Sequence, residues 1–263
     1  MKELQLTKSI VFLDLETTGI NISTDRIVEI SVIKFNPNDT EVEKTVRVNP
    51  TKPIPKAASA IHGITDKDVV NEPTFDRFAK SFLDFINGCD IGGFNVLRFD
   101  IPLLQEEFKR CNLTWDLTNI SLVDPMIIFH KKEPRHLNKE PRDLNAAYQK
   151  YCGMPLEGAH QAGTDARASK DILVEQVRYY SDIGETIEEL HSFCTSRNPD
   201  WLDDRGQLIN TNDGPTLGFG KYSGHLISEV AKNDQGYLDW ILGTDFDPLV
   251  KELIKKIMED VSS

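Results

Sequence analysis

Four acids and a histidine fall in three short stretches whose spacing can build a metal-ion site. Asp14-Leu15-Glu16-Thr17-Thr18-Gly19 follows the apolar run Ile10-Val11-Phe12-Leu13. In a β-strand, residues i and i+2 point to the same face. Asp14 and Glu16 then project together, while Leu15 faces the packed side. Two carboxylates on one side repel unless a proton or a cation lies between them. The following threonines and glycine supply a tight turn with exposed N–H groups. Asp100 ends the stretch Gly92-Gly93-Phe94-Asn95-Val96-Leu97-Arg98-Phe99-Asp100, after a buried strand and at the start of a helix. In His160-Gln161-Ala162-Gly163-Thr164-Asp165 a histidine in a glycine-bounded loop precedes an acid that opens a helix. Each piece alone has an ordinary reading. Asp14 and Glu16 read as a solvated strand end, Asp100 and Asp165 as helix-capping acids, and His160 as a surface histidine.

The elements that must position these residues follow from hydrophobic period. Ile10–Asp14 reads as a buried strand and Arg26–Phe35 as an alternating one. Asn36-Pro37-Asn38-Asp39 is a turn, and Val42, Val46 and Val48 alternate with polar residues in a third strand. The short link makes that pair antiparallel. Phe75, Phe78, Ala79, Phe82, Leu83 and Ile86 recur at helical spacing, with Gly88 as the expected C-cap. Ile91–Phe94 and Ile120–Val123 read as two further strands. Helices are expected around Ile101–Phe108, over Leu144–Tyr151 and over Ala166–Tyr180. The sum is an α/β domain with a mixed sheet of about five strands flanked by helices.

Together the three stretches resemble the DEDD (DnaQ-like) 3′–5′ exonuclease superfamily in its histidine subgroup. The matching features are Asp14-x-Glu16-Thr-Thr-Gly, Asn95-x-x-x-Phe99-Asp100, and His160 with Asp165, in that order. The tyrosine subgroup carries a tyrosine where Gln161 stands. Ile61-His62-Gly63-Ile64-Thr65 resembles a stretch of the proofreading branch. Phe94 is a departure, since many relatives have histidine there. The resemblance covers about residues 8–180 and implies an RNase H-like fold. It further implies that Asp14, Glu16, Asp100 and Asp165 hold two divalent cations, Mg²⁺ or Mn²⁺. Asp14 would bridge both, Glu16 and Asp165 complete one, and Asp100 help hold the other, partly through water. His160 would deprotonate the attacking water. Backbone groups around Thr17 and Thr18 would meet the terminal 3′-hydroxyl. His62 and Ile64 would pack on the last base, and Asn95 would steady the site near Asp100. The implied partner is nucleic acid with a free 3′ end, single-stranded DNA first, released as nucleoside 5′-monophosphates. A 3′–5′ exoribonuclease and a non-catalytic binding module on a nuclease fold are the alternatives. All four acids and the histidine are present, which argues against the second.

The chain has 263 residues, 39 % of them apolar, with 30 basic against 42 acidic side chains and a net charge of −12. This composition excludes disorder and supports a folded core. No apolar run is long enough for a transmembrane helix, and the N-terminus lacks the apolar stretch of a signal peptide. A cytoplasmic protein is expected. Cys89, Cys111, Cys152 and Cys194 have neither zinc-ligand nor disulfide-scaffold spacing and read as core thiols. The domains expected are 1–181, catalytic, and 182–263, a small α+β domain with Glu185–Phe193 as a linking helix. Asp203-Asp204-Arg205-Gly206 reads as a hairpin turn. From Phe219-Gly220-Lys221-Tyr222-Ser223-Gly224 to Asp245-Phe246 this part resembles a small domain of exonuclease X-like bacterial proteins. Tyr237 and Trp240 read as core. A homodimer or protein contact through this domain is expected as an option. Residues 1–180 carry 23 basic and 26 acidic side chains and the remainder 7 and 16, which places most acidity outside the catalytic part. Lys131, Lys132, Arg135, Lys139 and Arg142 against Glu133 and Glu140 form a basic stretch that reads as a phosphate contact or a solvated loop.

Overall fold

The computed structural model describes residues 2–133, 141–159, 161–196, 200–203, 206–244 and 246–262. His160 lies outside them, as do Arg135, His136, Lys139, Glu140, Asp204, Arg205 and Asp245.

The expected strands are β1 (Ile10–Thr17), β2 (Ile27–Phe35), β3 (Glu41–Arg47), β4 (Asp90–Gly92) and β5 (Leu122–Val123). They form one mixed sheet in the order β3-β2-β1-β4-β5. β1, β2 and β3 pair antiparallel, while β4 runs parallel to β1 and β5 parallel to β4. The three parallel strands therefore finish at one sheet edge, where open α/β sheets place their sites.

Helices α1 (Lys56–His62), α2 (Asp66–Val69), α3 (Ala79–Ile86), α4 (Asp100–Arg110), α5 (Pro125–Lys132), α6 (Leu144–Cys152), α7 (Ala162–Tyr179) and α8 (Ile187–Thr195) flank the sheet. One face of β1 and β2, through Leu13, Leu15 and Val32, joins a core with Phe82, Leu104 and Phe108. The other, through Ile10, Phe12 and Ile33, joins a core with Ile172, Leu173 and Val177 of α7. Each such buried side chain contributes roughly 1.5–3 kcal/mol. The period of two in β1 thus seats apolar residues under α7 at one end and Asp14 and Glu16 at the other.

Several expectations are corrected. All seven residues of β3 are exposed, because it is an edge strand that α7 reaches through the long side chains of Arg167 and Lys170 and does not pack against closely. The helix expected from Phe75 begins as a 3-10 turn, Phe75–Arg77, and α3 is capped by Asn87, with Gly88 at φ +74° one residue beyond. α7 starts at Ala162, four residues before the expected Ala166, so Asp165 lies inside its first turn.

The first compact unit runs to Lys132 and again from Pro141 to Thr195; the second takes up the chain from Ser196. The boundary is therefore at 195/196 and not at 181/182. α8, expected as a linker, buries Ile187, Leu190 and Cys194 in the first unit's core. The second unit holds β6 (Leu208–Thr211), β7 (Gly214–Leu217), α9 (Ile227–Asn233), α10 (Gln235–Gly243) and α11 (Pro248–Ser262). β6 and β7 form a hairpin that turns at Asn212-Asp213, and on either side of the Asp203–Gly206 stretch expected to turn, Trp201 bridges Ile209 antiparallel and the Leu202 N–H meets the Leu208 carbonyl at 2.9 Å. Tyr237 packs against the unit's core, but Trp240 is 51 % exposed. Gly220 is required where it stands, since a Cβ there would lie 2.1 Å from the Tyr237 hydroxyl.

Candidate active site

Asp14 and Glu16 leave β1 on the α7 face, and the antiparallel register sets Ser31 and Glu29 of β2 opposite them. Thr45 and Arg47 of β3 continue the row. The Ser31 and Thr45 hydroxyls bond at 2.8 Å, and Arg47 Nε donates to Glu29 Oε2 at 3.2 Å. The first turn of α7 lies over this polar row and brings in Asp165. Ligand oxygens of Asp14, Glu16 and Asp165 all lie within 4.8 Å of one another. The positive end of the α7 dipole falls on the same spot.

Asp100 lies outside this trio but touches it through the backbone. It is 4 % exposed, and its Oδ1 accepts the N–H of Leu15, between the two acids of β1, at 3.1 Å. Burial, then the charges of Asp100, Asp165, Glu16 and Glu29, push the Asp14 carboxyl well above the usual range. Burial, then Asp165 and Glu29, push Glu16 up to about 8. Burial, then Asp124 and Glu16, raise Asp100 despite backbone hydrogen bonds that oppose the shift. The strongest influences on Asp14 and Glu16 are all unfavourable to charge, and no lysine or arginine is among them. Hard oxygen donors gathered this closely suit a divalent cation such as Mg²⁺ or Mn²⁺. Oxygens bound to one ion at about 2.1 Å stand about 3–4 Å apart. Side-chain rotation would bring the trio to that spacing.

The turn after β1 is a built feature. Thr17 Oγ1 donates to the Gly19 carbonyl at 2.7 Å. Thr18, expected to face substrate, is 2 % exposed; its hydroxyl donates to Asp25 and accepts the Arg26 N–H, and its own N–H bonds the Arg26 carbonyl. Its polar hydrogens are thus engaged inside the turn. His62, at the end of α1, accepts the Ile64 N–H on Nδ1 at 3.1 Å, so Nε2 carries the proton and donates to the Thr17 carbonyl at 3.2 Å. Burial lowers the His62 pKa and keeps this neutral tautomer. Ile64 is buried with Val28, Ile54, Ala58 and Val69. A cleft of about 610 Å³ lies beside the trio, lined by Glu29, Arg47, His62, Ile64, Thr164 and Arg167 among others. His62 and Ile64 thus both line the cleft. Asn95 has φ +66°, a left-handed conformation that asparagine tolerates better than most residues. The basic stretch is corrected where it is described. Lys131 donates to the Phe193 and Cys194 carbonyls, Lys132 pairs with Asp182, and Arg142 donates to the Phe129 and His130 carbonyls.

Sequence reasoning missed three buried supports. Asp124 is fully buried, follows β5 directly and accepts the N–H groups of Asn95 and Met126. Burial brings its pKa to about 6 against the pull of those bonds. Glu107 on α4 is 1 % exposed and takes Arg26 in a bidentate pair at 2.7 and 3.1 Å. Ser169 on α7 donates to the Asp165 carbonyl at 2.8 Å. Only Asp124 had a local signal: like Asp14, it is an acid at the end of a strand that runs parallel to its neighbour.

Comparison with known proteins gives the same reading. Residues 11–173 match the exonuclease family model, and residues 217–244 match the exodeoxyribonuclease X-like C-terminal model. DNA polymerase III subunit epsilon of Treponema pallidum is 28 % identical over 64 % of this chain and 76 % of its own length. The 3′-5′ exonuclease DinG of Staphylococcus saprophyticus is 23 % identical over 78 % of this chain, which spans 22 % of it. E. coli exonuclease I, solved with a dT13 oligonucleotide, superposes with a TM-score of 0.56 at 19 % identity, over 65 % of this chain and 41 % of that one. That likeness carries the fold, an RNase H-like sheet flanked by helices. With the family model covering more than half of the residues, the chain belongs to the exonuclease family, the DEDD group of 3′–5′ nucleases that its motifs resemble.

Proposed function

We infer that this protein is a two-metal-ion exonuclease that removes nucleoside 5′-monophosphates from the 3′ end of DNA, single strands first. The observation that carries this reading is the trio Asp14, Glu16 and Asp165, whose ligand oxygens gather within 4.8 Å of one another at the parallel-strand edge. These three acids and Asp100 would hold two divalent cations, Mg²⁺ or Mn²⁺, which supply charge for the attacking and leaving oxygens of an in-line displacement. The cleft beside them has the polar and apolar lining that a terminal nucleotide needs. His62 and Ile64 would face the last base, and the turn at Thr17 the 3′-hydroxyl. Asn95 would act from the loop that leads to Asp100. His160, five residues before Asp165, is proposed as the base that takes the proton of the attacking water, a role usually worth about 10²–10⁴-fold in rate. DNA is favoured over RNA because the relatives include a DNA polymerase III subunit and a nuclease solved with a DNA oligonucleotide.

The test is the full chain on 5′-labelled single-stranded DNA and on RNA of the same sequence, with Mg²⁺, Mn²⁺ or EDTA. A ladder shortening from the 3′ end of DNA with either metal, and none in EDTA, is expected. Faster shortening of RNA would move the assignment to an exoribonuclease. No release from any substrate would leave a binding module.

A further inference from the structure

We propose that Asp124 is a positioning residue: its buried carboxylate, with the Ser169 hydroxyl, fixes the loop that carries Asp100 and so sets that acid against Asp14 and Asp165. The proposal rests on the reading of these acids as cation ligands.

β4 ends at Gly92, and Gly93 to Phe99 lead to α4. The Gly93 N–H still reaches the Val123 carbonyl of β5 at 3.3 Å, but the N–H groups that follow leave the sheet, and buried amides need acceptors. Three of them find side chains. Phe94 N–H donates to Ser169 Oγ at 3.2 Å, Asn95 N–H to Asp124 Oδ1 at 2.9 Å, and Leu97 N–H to Asp124 Oδ2 at 3.5 Å. From there the chain bonds to itself. The Asn95 carbonyl accepts Arg98 and Phe99, and the Val96 carbonyl accepts Ile101, the residue after Asp100. The loop is also pressed onto β1, because a Cβ on Gly93 would lie 2.6 Å from the Leu13 carbonyl. Asp124 and Ser169 are both 0 % exposed, so neither can touch a substrate. Ser169 Oγ bonds the Asp165 carbonyl as well, so one hydroxyl touches both the Asp100 loop and the helix of Asp165. A carboxylate is required at 124 because both of its oxygens accept from the loop. An asparagine would keep one acceptor and turn its amide hydrogens toward a backbone N–H.

The experiment compares the full-length parent with Asp124→Asn and Ser169→Ala. Mn²⁺ affinity is read by titration calorimetry without substrate, exonuclease rate against Mn²⁺ concentration with DNA, and amide exchange over residues 93–99 by mass spectrometry. Partners of this kind typically change metal affinity or activity 10–100-fold. Asp124→Asn is expected to weaken Mn²⁺ binding by about that factor. It should raise the Mn²⁺ concentration for half-maximal rate in parallel and speed exchange in the loop. Mn²⁺ affinity and half-saturation within twofold of the parent, in a folded Asp124→Asn protein, would overturn the proposal. If that variant does not fold, Ser169→Ala decides: a several-fold weaker Mn²⁺ affinity supports the proposal, and an unchanged one overturns it. A parent that binds Mn²⁺ but degrades nothing sinks the exonuclease reading alone. The calorimetric comparison then still judges Asp124. A parent that binds no Mn²⁺ overturns both.

Discussion

Replacing Asp14 with asparagine should stabilise the metal-free protein while destroying its catalysis. The pKa of Glu16 is about 8 in the fold against 4.5 for a free glutamate, so the fold favours its protonated form. The stability it contributes is fully present below pH 4.5 and is lost as pH rises toward 8. Thermal midpoints without metal should therefore fall over that window, and Mg²⁺ or Mn²⁺ should flatten the fall. Asp14→Asn replaces an acid whose ionisation the fold opposes, so its metal-free midpoint at pH 8 should exceed that of the parent. Its rate should drop by about 10³-fold or more, since a cation ligand is worth several kcal/mol in the transition state. A parent-like rate would remove Asp14 from the ligand set. The same shift predicts that metal binding at pH 7 releases protons. Calorimetry in buffers of different ionisation enthalpy should show a heat that scales with the buffer; a buffer-independent heat would mean that the acids are already ionised.

Glu107 shows what an element contributes beyond its own period. α4 reads from the sequence as an amphipathic helix, yet one acid on it faces inward and locks Arg26, at the far end of the β1–β2 turn. Arg110 joins the same carboxylate at 3.2 Å. Glu107→Ala would leave two guanidinium groups together with no anion. Breaking a buried pair in this way costs about 3–5 kcal/mol. Urea unfolding should show that loss, and a change under 1 kcal/mol would mean that water replaces the carboxylate. Such pairs could not be read beforehand, because their partners lie about 80 residues apart in the chain. Asp14, Glu16 and Asp165 were legible because strand period and short spacing are local. α1 and α5 were missed for the opposite reason. Lys56–His62 has one buried residue, and Pro125–Lys132 mixes apolar and basic residues without a clear stripe. The alternation of Val42, Val46 and Val48 with polar residues signals a strand with one buried face, but burial depends on what lies above it, and an edge strand has little.

At the scale of the whole molecule the boundary matters most. A chain ending at residue 181 would lack α8 and expose the core that Ile187, Leu190 and Cys194 seal. At about 1.5–3 kcal/mol for each large apolar side chain, this should cost about 5 kcal/mol. Residues 1–195 should unfold cooperatively, and 1–181 should be much less stable; equal midpoints would show α8 to be dispensable. The shift also moves four acids, Asp182, Glu185, Glu188 and Glu189, into the first unit. Residues 1–195 then hold 23 basic and 30 acidic side chains and residues 196–263 hold 7 and 12. The acidity is shared between the parts, where the division at 180/181 had placed most of it in the second. Two of these acids are offset locally, Asp182 by Lys132 and Glu185 by Lys2.

A sheet with an uncovered side is a template on which another molecule of the same protein can add a strand. β3 presents that side, and its sequence resists the addition. Glu41 and Glu43 are drawn down to Arg167 and Lys170 on α7, and Lys44 lies 4.3 Å over the Phe85 ring. Any incoming strand would have to displace these charges or bury them. The safeguard is slender, because Val42 and Val46 are already 41 % and 37 % exposed. Exchanging Glu43 and Lys44 for valine would give a continuous apolar ribbon, Val42 to Val46, broken only by Thr45. Light scattering should then grow with protein concentration at temperatures where the parent stays monodisperse, with the sheet intact and the cation site untouched.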